Sequence, residues 1–165
     1  MWKNEAPKLF VDLMKNTEWQ QKALEALITW LASDGRIEDF LLGKSVLREI
    51  TTALQDRDTL FALCPQMLLL CHRSPRLSIA LATDNMLLHV LVRNMDNTDT
   101  SNLLSILRFI DLLYQYHPSP KAVLITHELL ERLQVLSQES YAGDMLLVKE
   151  KAKGMMQSLR VNMVI

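Results

Sequence analysis

Apolar residues return along this chain at intervals of about 40, and a chain written that way folds as stacked helical units, because no single unit buries its own apolar face. Leu47, Leu87 and Leu130 fall at the same place in three successive stretches, as do Ile50, Val90 and Leu133, with offsets of 40 and 43 residues. Each stretch opens with a short apolar piece: Ile37 to Leu42, Leu77 to Ala82, Ala122 to Ile125. An amphipathic helix follows, starting near Ser45, Asp84 or His127, and then a longer helix.

A period near 40 with three helices per unit is that of armadillo and HEAT arrays. The expected fold is therefore all-α: a right-handed superhelical solenoid of about three units with an N-terminal partial unit, residues 1–165 forming one domain. Composition agrees. With only four Gly and five Pro, a leucine-rich chain favours helix over sheet. A length of 165 residues lets folding remove roughly two-thirds of the accessible surface from water. Eighteen basic against nineteen acidic residues give a net charge of −1, which does not recommend a nucleic-acid partner. The longest apolar run, Met67 to Cys71, is far short of the roughly 18 residues a membrane span needs. Met1 to Pro7 lacks the apolar core of a secretory signal, so a cytoplasmic or nuclear setting is the expectation.

Local signals predict the helix ends. A first helix after Asn4, with Pro7 in its opening turn, is expected to bury Leu9, Phe10, Leu13 and Met14. Thr17 to Gln20 has the form of a capping box, opening a helix whose apolar stripe is Trp19, Ala23, Ala26, Leu27, Trp30 and Leu31; Gly35 suits a left-handed stop. Asp58 opens a long helix in which Pro65 predicts a kink or break, and Met67 to Cys71, apolar on every face, is expected to lie between neighbouring units. Asn97 to Asn102 supplies capping residues for a helix through Leu103, Leu104, Ile106, Leu107, Ile110 and Leu113, which stops at His117. The last helix, from about Asp144 to Arg160, turns Val148, Ala152, Met155, Leu159 and Met163 inward. Trp30 and Leu107 are expected in the core.

Catalytic patterns are scarce. His127-Glu128-Leu129-Leu130-Glu131 begins like a zinc-protease helix but has Glu131 at the second ligand position, and reads better as the charged opening of an exposed helix. His72-Arg73-Ser74 lacks the aspartate of a kinase catalytic loop. Cys64 and Cys71 lie on one helix face about 10 Å apart along the axis, too far to bond, and read as buried reduced thiols. Ser74-Pro75 and Ser119-Pro120 read as a helix cap followed by a first-turn proline, and could also meet a proline-directed kinase. No enzyme activity, metal or cofactor is expected.

Leu113-Tyr114-Gln115-Tyr116-His117-Pro118-Ser119-Pro120-Lys121, then Leu146-Leu147-Val148-Lys149 and the ending Leu159 to Ile165, resemble the C-terminal armadillo region of the MAPKKK-epsilon and fungal septation-kinase (SepH-type) family. Glu18-Trp19 and Pro65 fall where that family carries similar residues, and the resemblance runs from about Leu9 to Ile165. It implies that the chain is the C-terminal module of a longer serine/threonine kinase. It further implies a role in mitotic exit, septation and cytokinesis, with a Ras-like small GTPase and a spindle-pole or centrosomal scaffold as partners, and a place at the spindle pole or division site.

In armadillo stacks the third helix of each unit lines the binding side, which nominates Gln21, Glu25 and Thr29, then Gln66 and Arg73, then Ser105, Arg108, Asp111 and Gln115. A basic stripe of Lys149, Lys153 and Arg160, with Lys151 nearby, offers a second surface, suited to an acidic partner. The competing expectation is a homodimer through apolar end residues such as Leu9, Phe10, Val161 and Val164.

Overall fold

The computed structural model describes residues 5–96, 99–121, 128–138 and 145–164, the last five as backbone alone, and among them every regular element is helical. The helices are α1 (Glu5–Leu13), α2 (Gln20–Ser33), α3 (Arg36–Leu41), α4 (Lys44–Ala53), α5 (Arg57–Arg73), α6 (Pro75–Ala82), α7 (Asn85–Arg93), α8 (Thr100–Tyr116), α9 (Leu129–Gln138) and α10 (Met145–Val164). Short, medium and long helices thus follow one another twice, as α3–α4–α5 and α6–α7–α8, and α9 and α10 continue with a medium and a long helix. The third short piece, Ala122 to Ile125, lies outside the described residues, as do Asn97, His127 and Asp144.

Two compact units are present, Met1–Leu87 and Leu88–Ile165. In the first, α2 packs along α5 and also meets α1 and α3, while α1 touches α4 and α5 touches α6. In the second, α10 packs against both α9 and α8.

The buried positions of the long helices keep one register. Gln20, Leu60, Leu103 and Val148 are buried at equivalent positions of α2, α5, α8 and α10; Leu24, Cys64, Leu107 and Ala152 follow one turn on, then Leu27, Met67, Ile110 and Met155. The steps between helices are 40 residues (Gln20 to Leu60), 43 (Leu60 to Leu103) and 45 (Leu103 to Val148). Caps repeat at the same 43-residue spacing. Asp56 accepts a hydrogen bond from Thr59 N–H to open α5, Asp99 accepts from Asn102 N–H to open α8, and Ser74-Pro75 and His117-Pro118 end them. In the medium helices the buried pairs are Val46 and Ile50, Leu87 and Leu91, and Leu129 and Leu133, stepping by 41 and 42. Ile50, Leu87 and Leu133 are buried as expected while Leu47, Val90 and Leu130 are only half-buried, so the 40- and 43-residue spacing belongs to the long helices and the medium ones step by 41 and 42.

Several local expectations are corrected. No capping box forms at Thr17: Asn16 accepts from Glu18 N–H and α2 starts at Gln20 with no side-chain cap. Its buried stripe is Gln20, Ala23, Leu24 and Leu27, so Trp19 stands 49% exposed beside the Lys22 ammonium and Trp30 is half-buried. On α1 the buried residues are Pro7, Val11 and, just past its end, Met14, while Leu9 is 57% exposed and Phe10 and Leu13 are half-buried. Gly35 is right-handed (φ −59°, ψ −18°), because the extended residue ending α2 is Asp34, held by the Arg36 guanidinium. Asp56, not Asp58, opens α5, and that helix runs without a break through Pro65, which faces solvent. In the turn before that proline, Gln21 Nε2 on α2 donates to the Ala62 carbonyl at 3.2 Å. Leu69 is 57% exposed, so the Met67 to Cys71 run is not covered on all sides.

Other expectations agree with the structure. Leu107 is fully buried, α8 ends at His117, and Val148, Ala152, Met155 and Leu159 turn inward on α10; the side chains of Arg160 and Met163 lie outside the described residues.

Candidate functional site

A helix packed along one side leaves the opposite side exposed, and the buried register of the long helices locates it. One turn beyond Gln20, Leu60, Leu103 and Val148 on the outer side stand Glu25, Pro65, Arg108 and Lys153, all four exposed. Three of the residues nominated from the sequence therefore occupy the same exposed position on α2, α8 and α10. Glu25 belongs to the first unit and Arg108 and Lys153 to the second, where α8 and α10 pack together.

The remaining nominated residues are less alike. Arg73 is exposed in the last turn of α5, and Gln115 is exposed near the end of α8. Gln66 is half-buried, and its Oε1 is enclosed without a hydrogen-bond donor among the described residues. Asp111 accepts a hydrogen bond from Lys151 Nζ, an ion pair that ties α8 to α10 with both groups largely sheltered. Lys153 is paired with Glu150 at 3.0 Å, and Lys149 is half-buried. Arg160 contributes no described side chain. The basic stripe of α10 is thus partly compensated within the unit, while Arg108 is exposed on α8.

Two hollows of note open among the described residues of the first unit. One, of about 420 Å³, is walled by Phe10, Ala26, Thr29, Trp30 and Ser33, with the Phe10 and Trp30 rings edge to face at 5.8 Å. The other, of about 430 Å³, is lined by Lys15, Ser45, Arg48, Glu49, Thr52 and Ala53. Hydrophobic periodicity nominates buried faces and so passes over this second hollow. Its signal in the sequence was the polar series Ser45, Arg48 and Thr52 on the side of α4 away from Val46 and Ile50.

Groups that could be reactive are held in structural roles. Ser74, fully buried, accepts from Leu77 N–H to cap α6 and donates to Glu38 Oε1 at 2.6 Å, and Arg76 bridges Glu38 and Asp39 at 2.9 Å each. Ser119 is exposed and donates its backbone N–H to His117 Nδ1. Cys64 and Cys71 are free and buried, and desolvation pushes both thiols up to about 12. Among the described residues no group of His, Cys, Asp and Glu is placed to hold a metal, and no helix is long and apolar enough to cross a membrane.

No known family profile and no solved structure matches the chain. Curated proteins do. MAP3K epsilon protein kinase 1 of Brassica napus is 28% identical over 167 residues, covering 95% of this chain and 13% of that protein. MAP3K epsilon protein kinases 1 and 2 of Arabidopsis thaliana are each 26% identical, again over 95% of this chain, and 12% of theirs. The chain spans about an eighth of the length of the curated relatives it matches. Over 95% of its length, then, the chain is homologous to one stretch of the MAP3K epsilon protein kinases, at 26–28% identity.

Proposed function

We propose that this chain is a non-catalytic protein-interaction module of a MAP3K-epsilon-type kinase, which recruits or regulates the kinase in septation and cytokinesis by binding a Ras-like small GTPase or a spindle-pole scaffold. The observation that carries the reading is the alignment of nearly the whole chain with only 12–13% of proteins named as kinases. A kinase catalytic domain sets its phosphate-binding lysine on a strand under a glycine-rich loop. Every regular element among the described residues is helical, and the whole chain has four glycines. The repeating short, medium and long helices and their common buried register favour an armadillo-like array with the long helices presenting the binding face. Glu25, Arg108 and Lys153 at one exposed position support that choice of face.

A second reading, self-association, draws on Leu9, 57% exposed on α1, beside the open hollow at Phe10 and Trp30. Light scattering over a concentration series separates the two. Binding through the long helices predicts a monomer at micromolar concentration that retains the GTPase or scaffold in a pull-down. A concentration-dependent dimer abolished by Leu9→Glu favours self-association.

A further inference from the structure

We propose that the hollow between the end of α1 and the outer face of α4 binds an acidic segment of a protein partner, with one carboxylate of that segment seated on Arg48. Val46 and Ile50 anchor α4 on its inner side, which leaves Ser45, Arg48 and Thr52 facing the hollow. All three are exposed, and among the described residues their side chains form no hydrogen bond or ion pair. Lys15 and Glu49 also line the hollow, but they are spent on each other: Nζ to Oε2 is 2.9 Å, and Asp12 adds a weaker contact at 3.4 Å. The hydrogen bond that Lys15 donates to Glu49 raises the Lys15 pKa, so the ammonium stays charged against that carboxylate.

Arg48 is then the charged residue of the lining with no partner among the described residues. Its planar fork matches a carboxylate with two parallel N–H donors, and the Ser45 and Thr52 hydroxyls stand on either side to donate to the remaining lone pairs. Ala53 and the aliphatic stems of Lys15 and Arg48 give the neighbouring methylenes of a peptide an apolar wall. A volume of about 430 Å³ is enough for one or two side chains. The Arg48 fork pairs with one carboxylate, and Lys15, held by Glu49 and Asp12, adds no second free cation for a doubly charged phosphate, which favours the acidic peptide as occupant. The site goes beyond the long-helix face argued above and shares no residue with it.

The test uses the whole chain and a short fluorescein-labelled peptide of alternating Glu and Leu, with the same peptide carrying Gln for Glu as its control. Fluorescence anisotropy is expected to show saturable binding of the Glu peptide alone. Arg48→Gln should weaken it roughly tenfold, while Arg93→Gln, which removes an exposed cation at the end of α7, leaves it unchanged. Should Arg48→Gln lose helical circular dichroism, Arg48→Lys replaces it: charge without the fork, and a smaller loss. No saturable binding, equal binding of the Gln peptide, no effect at Arg48, or an equal loss with Arg93→Gln each overturns the proposal. Displacement by inorganic phosphate but not by chloride at matched ionic strength would reassign the hollow to phosphate and overturn the peptide assignment.

Discussion

Gln20 occupies the position that Leu60, Leu103 and Val148 hold in the other long helices, yet it is a buried amide whose Oε1 has no donor among the described residues. A buried acceptor left unmade costs stability, so Gln20→Leu is expected to stabilise the chain by about 1 kcal/mol, read as a higher denaturation midpoint. A lower midpoint would show that the amide is needed where it stands. Leu107→Ala should cost about 2 to 5 kcal/mol, because the side chain is fully enclosed, and the denaturation midpoint checks it. The Cys64 and Cys71 thiols, raised to about 12 by burial, should resist an aromatic disulfide reagent at pH 8 until denaturant opens the fold. Their linkage has a definite sign. Unfolding exposes thiols that ionise near the ordinary value of 9.0, so stability is lost as pH climbs from there toward 12. Residue roles of this kind were only partly legible. The buried thiols and Leu107 follow from apolar periodicity, whereas Gln20 hides as a polar residue in an apolar slot and pushes the apparent stripe of α2 toward Trp19 and Trp30.

Long elements were easier to read than their ends. The spacing of Leu60 to Cys71 and of Leu103 to Tyr114 marks two helices with one buried register, and both open on an aspartate whose carboxylate takes a backbone N–H three residues on. Those hydrogen bonds lower the carboxyl pKa values of Asp56 and Asp99 below the ordinary 3.8. Stability from the caps is therefore present above pH 3.8 and fades as the pH falls through the lowered values. Asp56→Ala should reduce the thermal midpoint and erase that acid dependence for α5, while Asp56→Asn should keep most of the midpoint, since an amide oxygen caps as well. Equal midpoints for the alanine and wild-type chains would deny the cap any role. At Thr17 the pattern misled, because a capping box needs the backbone to turn at that residue, and Asn16 turns it first with its own side chain. Gly35 misled for a related reason: Asp34 and Arg36 already define the corner, leaving the glycine an ordinary right-handed conformation.

Across the whole chain, the sequence carried the all-helical class, the alternation of helix lengths and the kinship with MAP3K epsilon kinases. It carried less of the surface. Glu25 and Arg108 could be nominated from the outward stripes of long helices and Lys153 from a basic stripe on the last one, but the pairing of Asp111 with Lys151 and of Lys153 with Glu150 depends on which helices meet and on rotamers that no periodicity encodes. The proposal that the module binds through its long helices is tested most directly by calorimetric titration of the purified chain with the GTP-loaded Ras-like GTPase and, separately, with the spindle-pole scaffold of the same cell. Saturable micromolar binding to one of them, weakened at least tenfold by combined Arg108→Glu and Lys153→Glu in a chain that keeps its helical spectrum, is the predicted result. Binding to neither, or binding that the double reversal leaves untouched, would contradict it.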